Sequence, residues 1–119
     1  MTLPLGFASM RQLKRKYKYE AKKRGLKWDL TEEQFKGLTQ QNCYYCGAKP
    51  NQSCFSTHNW LNGEYIYNGL DRIDNTKGYT IDNVVPCCRQ CNQAKSIFTL
   101  QEFQNWIEKV YCKLKNPNN

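Results

Sequence analysis

A chain of 119 residues with 39% hydrophobic and 24% charged side chains has the length of one domain and the composition of a folded, not a disordered, protein. No apolar run approaches the roughly 20 residues of a membrane span, and the apolar part of the opening MTLPLGFASMRQLK is too short for a secretory leader, so a cytoplasmic, reducing location with no membrane partner is expected. Eighteen Lys+Arg against ten Asp+Glu leave a net charge of +8, which selects acidic partners, and seven cysteines, an odd number, read as metal ligands or plain thiols before disulfides.

In chain order, residues 11–27, RQLKRKYKYEAKKRGLK, hold nine of the positive charges and one acid. Ser9 is placed to cap a helix whose face Leu13, Tyr17, Ala21 recurs at every fourth residue, and Gly25 to end it. The other faces are almost wholly basic. A solvated helix usually mixes signs, so this one reads as a surface for nucleic-acid phosphate, with Lys14, Arg15, Lys18, Lys22, Lys23 and Arg24 as contacts. TEEQF at 31–35 is a capping box, Thr31 with Gln34, opening a short helix that carries Phe35 and Leu38 inward.

CYYCG follows at 43–47. Asn62-Gly63 and Asn68-Gly69 are competing two-residue hairpin turns, and EYIYNGLDRI reads as strand on both sides of the second. NTKGYT is a loop, and IDNVV enters a short strand that Pro86 ends. A helix starts near Cys91 and fades by Ile97. Thr99 and Glu102 form a second capping box, opening a last helix with Phe103, Ile107, Val110 and Leu114 on one face and Trp106 widening the stripe. The fold class is α+β. The expected plan is a basic helical arm over 1–42, a core over 43–98, and a helix over 99–119 packed on that core.

Two C-x2-C pairs, Cys43 with Cys46 and Cys88 with Cys91, are separated by 41 residues. Each wraps a turn around one ion, and together they supply the four thiolates of a closed tetrahedral zinc site, which contributes heavily to folding in a small polar domain. Cys88 has the pair spacing with Cys91 and Cys87 does not. Cys54 and Cys112 are read as plain thiols, Cys112 packed on the last helix. Between and just beyond the pairs stand Asp71, Asp74, Asn83 and Asn92, whose oxygens suit a hard cation such as magnesium, though Asp and Asn are also common in turns.

The ordered pattern CYYCG…NGLDRIDNTKGYTIDNVVPCCRQCNQAK resembles the HNH endonucleases, also called ββα-metal or His-Me finger nucleases, in particular the small zinc-bearing versions of bacteriophages and mobile elements such as homing endonucleases. The likeness covers residues 43–96, and the basic leader before it is similar too. It implies a zinc-stabilised ββα-metal finger and a metal-dependent DNA endonuclease, nicking or cutting both strands of duplex DNA by hydrolysis, phage-encoded and acting as a monomer or homodimer. RNA is a second, weaker partner. It further implies Asp71 and Asn92 as ligands of a catalytic Mg2+ or Mn2+, Asn83 as a brace for the loop, and Lys95 facing the phosphate backbone.

Arg72 is the departure, for it falls where the family places its general-base histidine. A guanidinium does not accept a proton at neutral pH, but it can stabilise charge building on phosphate. A competing reading is therefore a DNA-binding module that kept the HNH fold and lost catalysis. Other residues could supply the base. Asp74 lies on the face of Arg72 if the strand runs unbroken. The only histidine, His58, would pair with Tyr67 across an Asn62-Gly63 turn, roughly 13 Å from Asp71. An Asn68-Gly69 turn would instead set Tyr65 opposite Arg72 and bring Glu64 near. Tyr79 reads as a core aromatic.

Overall fold

The computed structural model describes residues 3–58 and 60–118. Gly6, at φ +80°, turns the chain into helix α1 (Phe7–Lys23), a conformation that glycine adopts without the strain a side chain would add. Ser9 is not the cap expected of it. It lies inside the helix, fully buried, its hydroxyl donating to the Gly63 carbonyl at 2.7 Å and accepting from the Ser56 N–H at 2.9 Å. Asn62 satisfies the helix start instead: its Oδ1 accepts from Ala8 N–H and its carbonyl from Gly6 N–H, both at 2.8 Å. A long-range partner replaces the local one, which no scan for local caps detects.

Strand β1 (Trp28–Asp29) pairs in parallel with β5 (Tyr79–Thr80), Trp28 beside Tyr79. Helix α2 (Glu32–Thr39) begins on the Thr31–Gln34 capping box, with both reciprocal bonds present. Met10, Leu13, Phe35, Leu38, Tyr65, Leu70, Tyr79 and Val84 form one buried cluster. Residues of the expected 1–42 arm thus share a core with the segment after them. Tyr17 joins that core edge-on to Phe35 and Tyr79, and its hydroxyl accepts from Leu70 N–H at 3.2 Å. A Cβ added at Gly69 would lie 2.7 Å from that hydroxyl, so the glycine permits α1 to dock directly on the strand that carries the site.

Strand β2 (Gln52–Cys54) pairs antiparallel with β3 (Tyr65–Tyr67). A long loop with a 3-10 turn at Trp60–Asn62 joins them, so Asn62-Gly63 is no two-residue hairpin and Tyr67 faces Gln52 rather than His58. Asn68-Gly69 is no hairpin either. It joins β3 to β4 (Gly69–Arg72), and β4 pairs antiparallel with β6 (Val84–Cys87), which sets Val84 opposite Arg72. The ββα finger is this β4–β6 hairpin followed by α3 (Arg89–Lys95), which starts two residues earlier than expected because Cys88 caps it.

Pro86 does not end β6. It pairs with Leu70, and its carbonyl accepts from Tyr44 N–H at 2.8 Å, on the side away from β4. The N–H and C=O of an antiparallel residue point the same way, so the donor that proline lacks falls outside the β4 ladder. The last helix, α4 (Leu100–Lys115), starts on the Thr99–Glu102 box, but packing on the core is confined to its first turn. Only Phe103 is buried; Trp106, Ile107, Val110 and Leu114 are exposed, as is Cys112.

Candidate metal centres and active-site cleft

The knuckle sequences fold as short turns before α2's successor strand and before α3. Cys43 N–H donates to Ala48 O and Gly47 N–H to Cys43 O, closing the first turn with Gly47 at φ +78°. In the second turn Cys88 Sγ accepts from Cys91 N–H at 3.4 Å. Tyr44 N–H, bonded to Pro86, holds the two turns together. The sulfurs of Cys43, Cys46, Cys88 and Cys91 consequently lie within 4.8 Å of one another, an arrangement that can hold a metal such as zinc. Burial opposes ionisation of Cys43, yet N–H donors from Cys88, Cys46 and Tyr45 outweigh it and hold that thiol down at about 6. Cys87 adjoins Cys43 but is not one of the four: it is buried, burial pushes its thiol well up, and its Sγ donates to Cys88 O. Cys54 Sγ donates to Ser9 O at 3.7 Å.

A second centre lies where β4 ends beside α3. Asp71, Arg72 and Asn92 line one cleft of about 280 Å³, together with Arg24 at the C-cap of α1, Asn75 and Tyr79. Strand β4 is buried along its length, so Asp71 is only 6% exposed, while Asn92 is exposed and its amide has no hydrogen bond among the described residues. One Asp71 oxygen, Oδ2, is fully occupied: it accepts from the Tyr45 hydroxyl at 2.6 Å and lies 3.1 Å from Lys95 Nζ. The other carboxylate oxygen and the Asn92 amide are left to serve a cation, and a hard divalent ion fits that oxygen-donor pair.

Lys95 corrects the expectation of a phosphate contact. It is 0% exposed, paired with Asp71, and its Nζ also reaches Arg72 O at 3.4 Å. Residues three apart share a helix face, so the spacing from Asn92 does not bury this lysine; its pairing with Asp71 and Arg72 of β4 turns it into the core. Arg72 is tied as well. Its Nη1 donates to Asn75 O and Lys77 O, both at 2.8 Å, and its guanidinium stands 5.6 Å from the Tyr79 ring centre. Asn83 is 5% exposed; its Oδ1 accepts from Asp74 N–H at 2.9 Å, and its Nδ2 donates to Asp74 O and Gly78 O at 3.1 and 2.9 Å.

Asp74, His58, Tyr65 and Glu64 all lie outside the cleft lining. Asp74 follows the end of β4, and its Oδ1 accepts from Thr76 Oγ1 at 2.6 Å and Thr76 N–H at 2.9 Å. Those bonds, the hydroxyl's first, hold its carboxyl below the ordinary aspartate range, the wrong direction for a base. His58 is exposed in the β2–β3 loop. Of the basic helix, Arg15, Lys18, Lys22, Lys23 and Arg24 are exposed, whereas Lys14 is partly buried and 3.4 Å from Glu32.

Tyr45 is the residue that sequence reasoning passed over. Burial and its bond to Asp71 raise its hydroxyl far above the usual range, so it remains a donor, and Phe103 of α4 supports its ring edge-on at 5.7 Å. Its position between two of the clustered cysteines is the available signal, for a side chain there is carried wherever the knuckle docks.

No family model matches the chain. It is 35% identical over 88 residues to an uncharacterized protein of Acanthamoeba polyphaga mimivirus, an overlap that takes in 74% of this chain and 14% of the viral protein. Over 86 residues it is 28% identical to YoqL, an SPbeta prophage-derived protein of Bacillus subtilis (strain 168) whose name classes it as an HNH endonuclease; the overlap is 70% of this chain and 35% of YoqL. The chain thus spans about a seventh and about a third of these relatives' lengths. Its structure is similar to that of the rare-cutting HNH restriction endonuclease PacI, with a TM-score of 0.60, 24% identity, and coverage of 85% of this chain and 75% of that one. No helix of the described residues is long and apolar enough to cross a membrane. With a β4–β6 hairpin leading through a cysteine knuckle into α3, and with these likenesses beside it, the chain shares the fold of the HNH endonucleases.

Proposed function

We propose that this chain is a divalent-metal-dependent DNA endonuclease that hydrolyses phosphodiester bonds, with zinc held by Cys43, Cys46, Cys88 and Cys91 as a structural ion. The observation that carries the reading is the meeting of Asp71, Arg72 and Asn92 in one cleft beside Arg24 of the basic helix. Asp71 and Asn92 would hold Mg2+ or Mn2+, which when bound would supply positive charge for the scissile phosphate and for the leaving oxygen. Tyr45 fixes the Asp71 carboxylate. Asn83 fixes the loop after β4, and through it the two carbonyls that orient Arg72. The free edge of that guanidinium then stabilises negative charge on the phosphate in the transition state. Arg24 and the exposed lysines of α1 hold the DNA backbone in a salt-sensitive, sequence-independent way. Neither Asp74 nor His58 takes the proton of the attacking water; it passes to solvent or to the substrate phosphate.

One cleft cuts one strand, so a monomer nicks. Supercoiled plasmid incubated with Mg2+ or Mn2+ tests this: relaxation by the wild type and none by Asp71→Ala is the expected result. A second reading, a duplex-binding module without catalysis, is favoured by one observation, the Lys95 ammonium on the only carboxylate among the described residues lining the cleft. Duplex binding with no relaxation under any divalent ion would decide for it.

A further inference from the structure

Resting on the nuclease reading, we propose that Lys95 is a positioning residue that keeps the divalent-ion site of the free protein weak, so that the ion binds together with a nucleic-acid phosphate. The fully buried ammonium sits 3.1 Å from Asp71 Oδ2 and cannot swing into solvent, so its charge stays at the site whatever the cleft holds. Asp71 is the only acid among the described residues lining the cleft, which also carries Arg24 and Arg72. One carboxylate therefore faces three cations before any divalent ion arrives. Charges this close inside a protein shift a binding equilibrium by tenfold or more. A phosphodiester brings the missing negative charge, and with it the oxygen ligands that magnesium-type sites usually take from substrate. Tyr45 and Lys95 on the same oxygen also restrict Asp71 to offering its other oxygen alone, which leaves coordination positions for the phosphate.

The test is Mn2+ affinity of the zinc-loaded full chain, read from the free-ion electron paramagnetic resonance signal. Three samples decide it: wild type alone, wild type with a random-sequence 20-base-pair duplex (corrected with Asp71→Asn protein and the same duplex), and Lys95→Met alone. The expected result is at least roughly tenfold tighter binding on adding duplex to wild type, and a similar gain in Lys95→Met without duplex. A gain is something the loss of a merely structural lysine cannot produce. Unchanged or weaker Mn2+ binding by a folded Lys95→Met, checked by zinc content and circular dichroism, overturns the proposal. If that variant does not fold, wild-type affinity indifferent to duplex overturns it. The underlying nuclease reading fails separately: it falls, with this proposal, if no sample shows Asp71-dependent Mn2+ binding. Asp71-dependent binding that ignores Lys95 removes only the role of Lys95.

Discussion

Asp71 and Asp74 stand three residues apart in LDRID, and their surroundings could hardly differ more. Asp71 is inside β4, held by a knuckle tyrosine and a helix lysine, with one oxygen left toward the cleft. Asp74 lies past the strand end, where its carboxylate folds back onto Thr76 of its own turn. The strand's end, rather than the spacing of acids, thus sorts a buried cleft carboxylate from a turn residue. An unbroken strand would have put Asp74 on the face of Arg72; the chain leaves the ladder at Arg72 and Asn83 captures the backbone of Asp74 instead.

Substitutions can break or sharpen that contrast. Asp71→Ala should lower plasmid nicking by on the order of 10³-fold, the scale of losing a group that stabilises transition-state charge; activity near wild type would mean the two aspartates have been assigned the wrong way round. Arg72→His should cost about a hundredfold in the same assay, because imidazole cannot hold both Asn75 O and Lys77 O while facing a phosphate. A rise in nicking would show instead that a histidine base was all the site lacked. Tyr45→Phe should reduce the rate about tenfold, since one hydrogen bond to a charged group is lost and the carboxylate keeps Lys95; single-turnover rates at saturating Mn2+ measure it.

Asp74→Ala should change nicking by less than about threefold, within the range of a surface substitution away from the reacting groups. Its signature is in acid. The folded-state carboxyl of Asp74 is held low, so its contribution to stability is present above the unfolded-state value and is lost as pH falls through the folded one. Thermal unfolding followed from pH 6 to pH 3 should accordingly fall less steeply in Asp74→Ala than in the wild type.

Much of the site was legible because its signals are local. The C-x2-C spacing identified all four sulfurs, including Cys88 over Cys87, and the strand–knuckle–helix order brought Asp71, Arg72 and Asn92 to one cleft. The two capping boxes were legible for the same reason: both partners lie three residues apart. What sequence did not reveal depends on distant partners. Ser9 lost its capping role to Asn62, more than fifty residues away, and the Asn-Gly turns yielded to a pairing of β4 with β6 that no turn signal announces. The HNH resemblance set Lys95 toward phosphate, and only the docking of α3 on β4 turns it inward. The apolar stripe of α4 reads as a packed face, yet the core reaches only Phe103, where Tyr45 waits for support.

The most direct test of the assignment is anomalous diffraction from Mn2+ in crystals of the zinc-loaded protein with duplex DNA. The account predicts a manganese peak bound to the Asp71 carboxylate and the Asn92 amide, with Asp74 still turned onto Thr76. A peak held by Asp74, or none in the cleft between β4 and α3 while DNA is bound there, would contradict it.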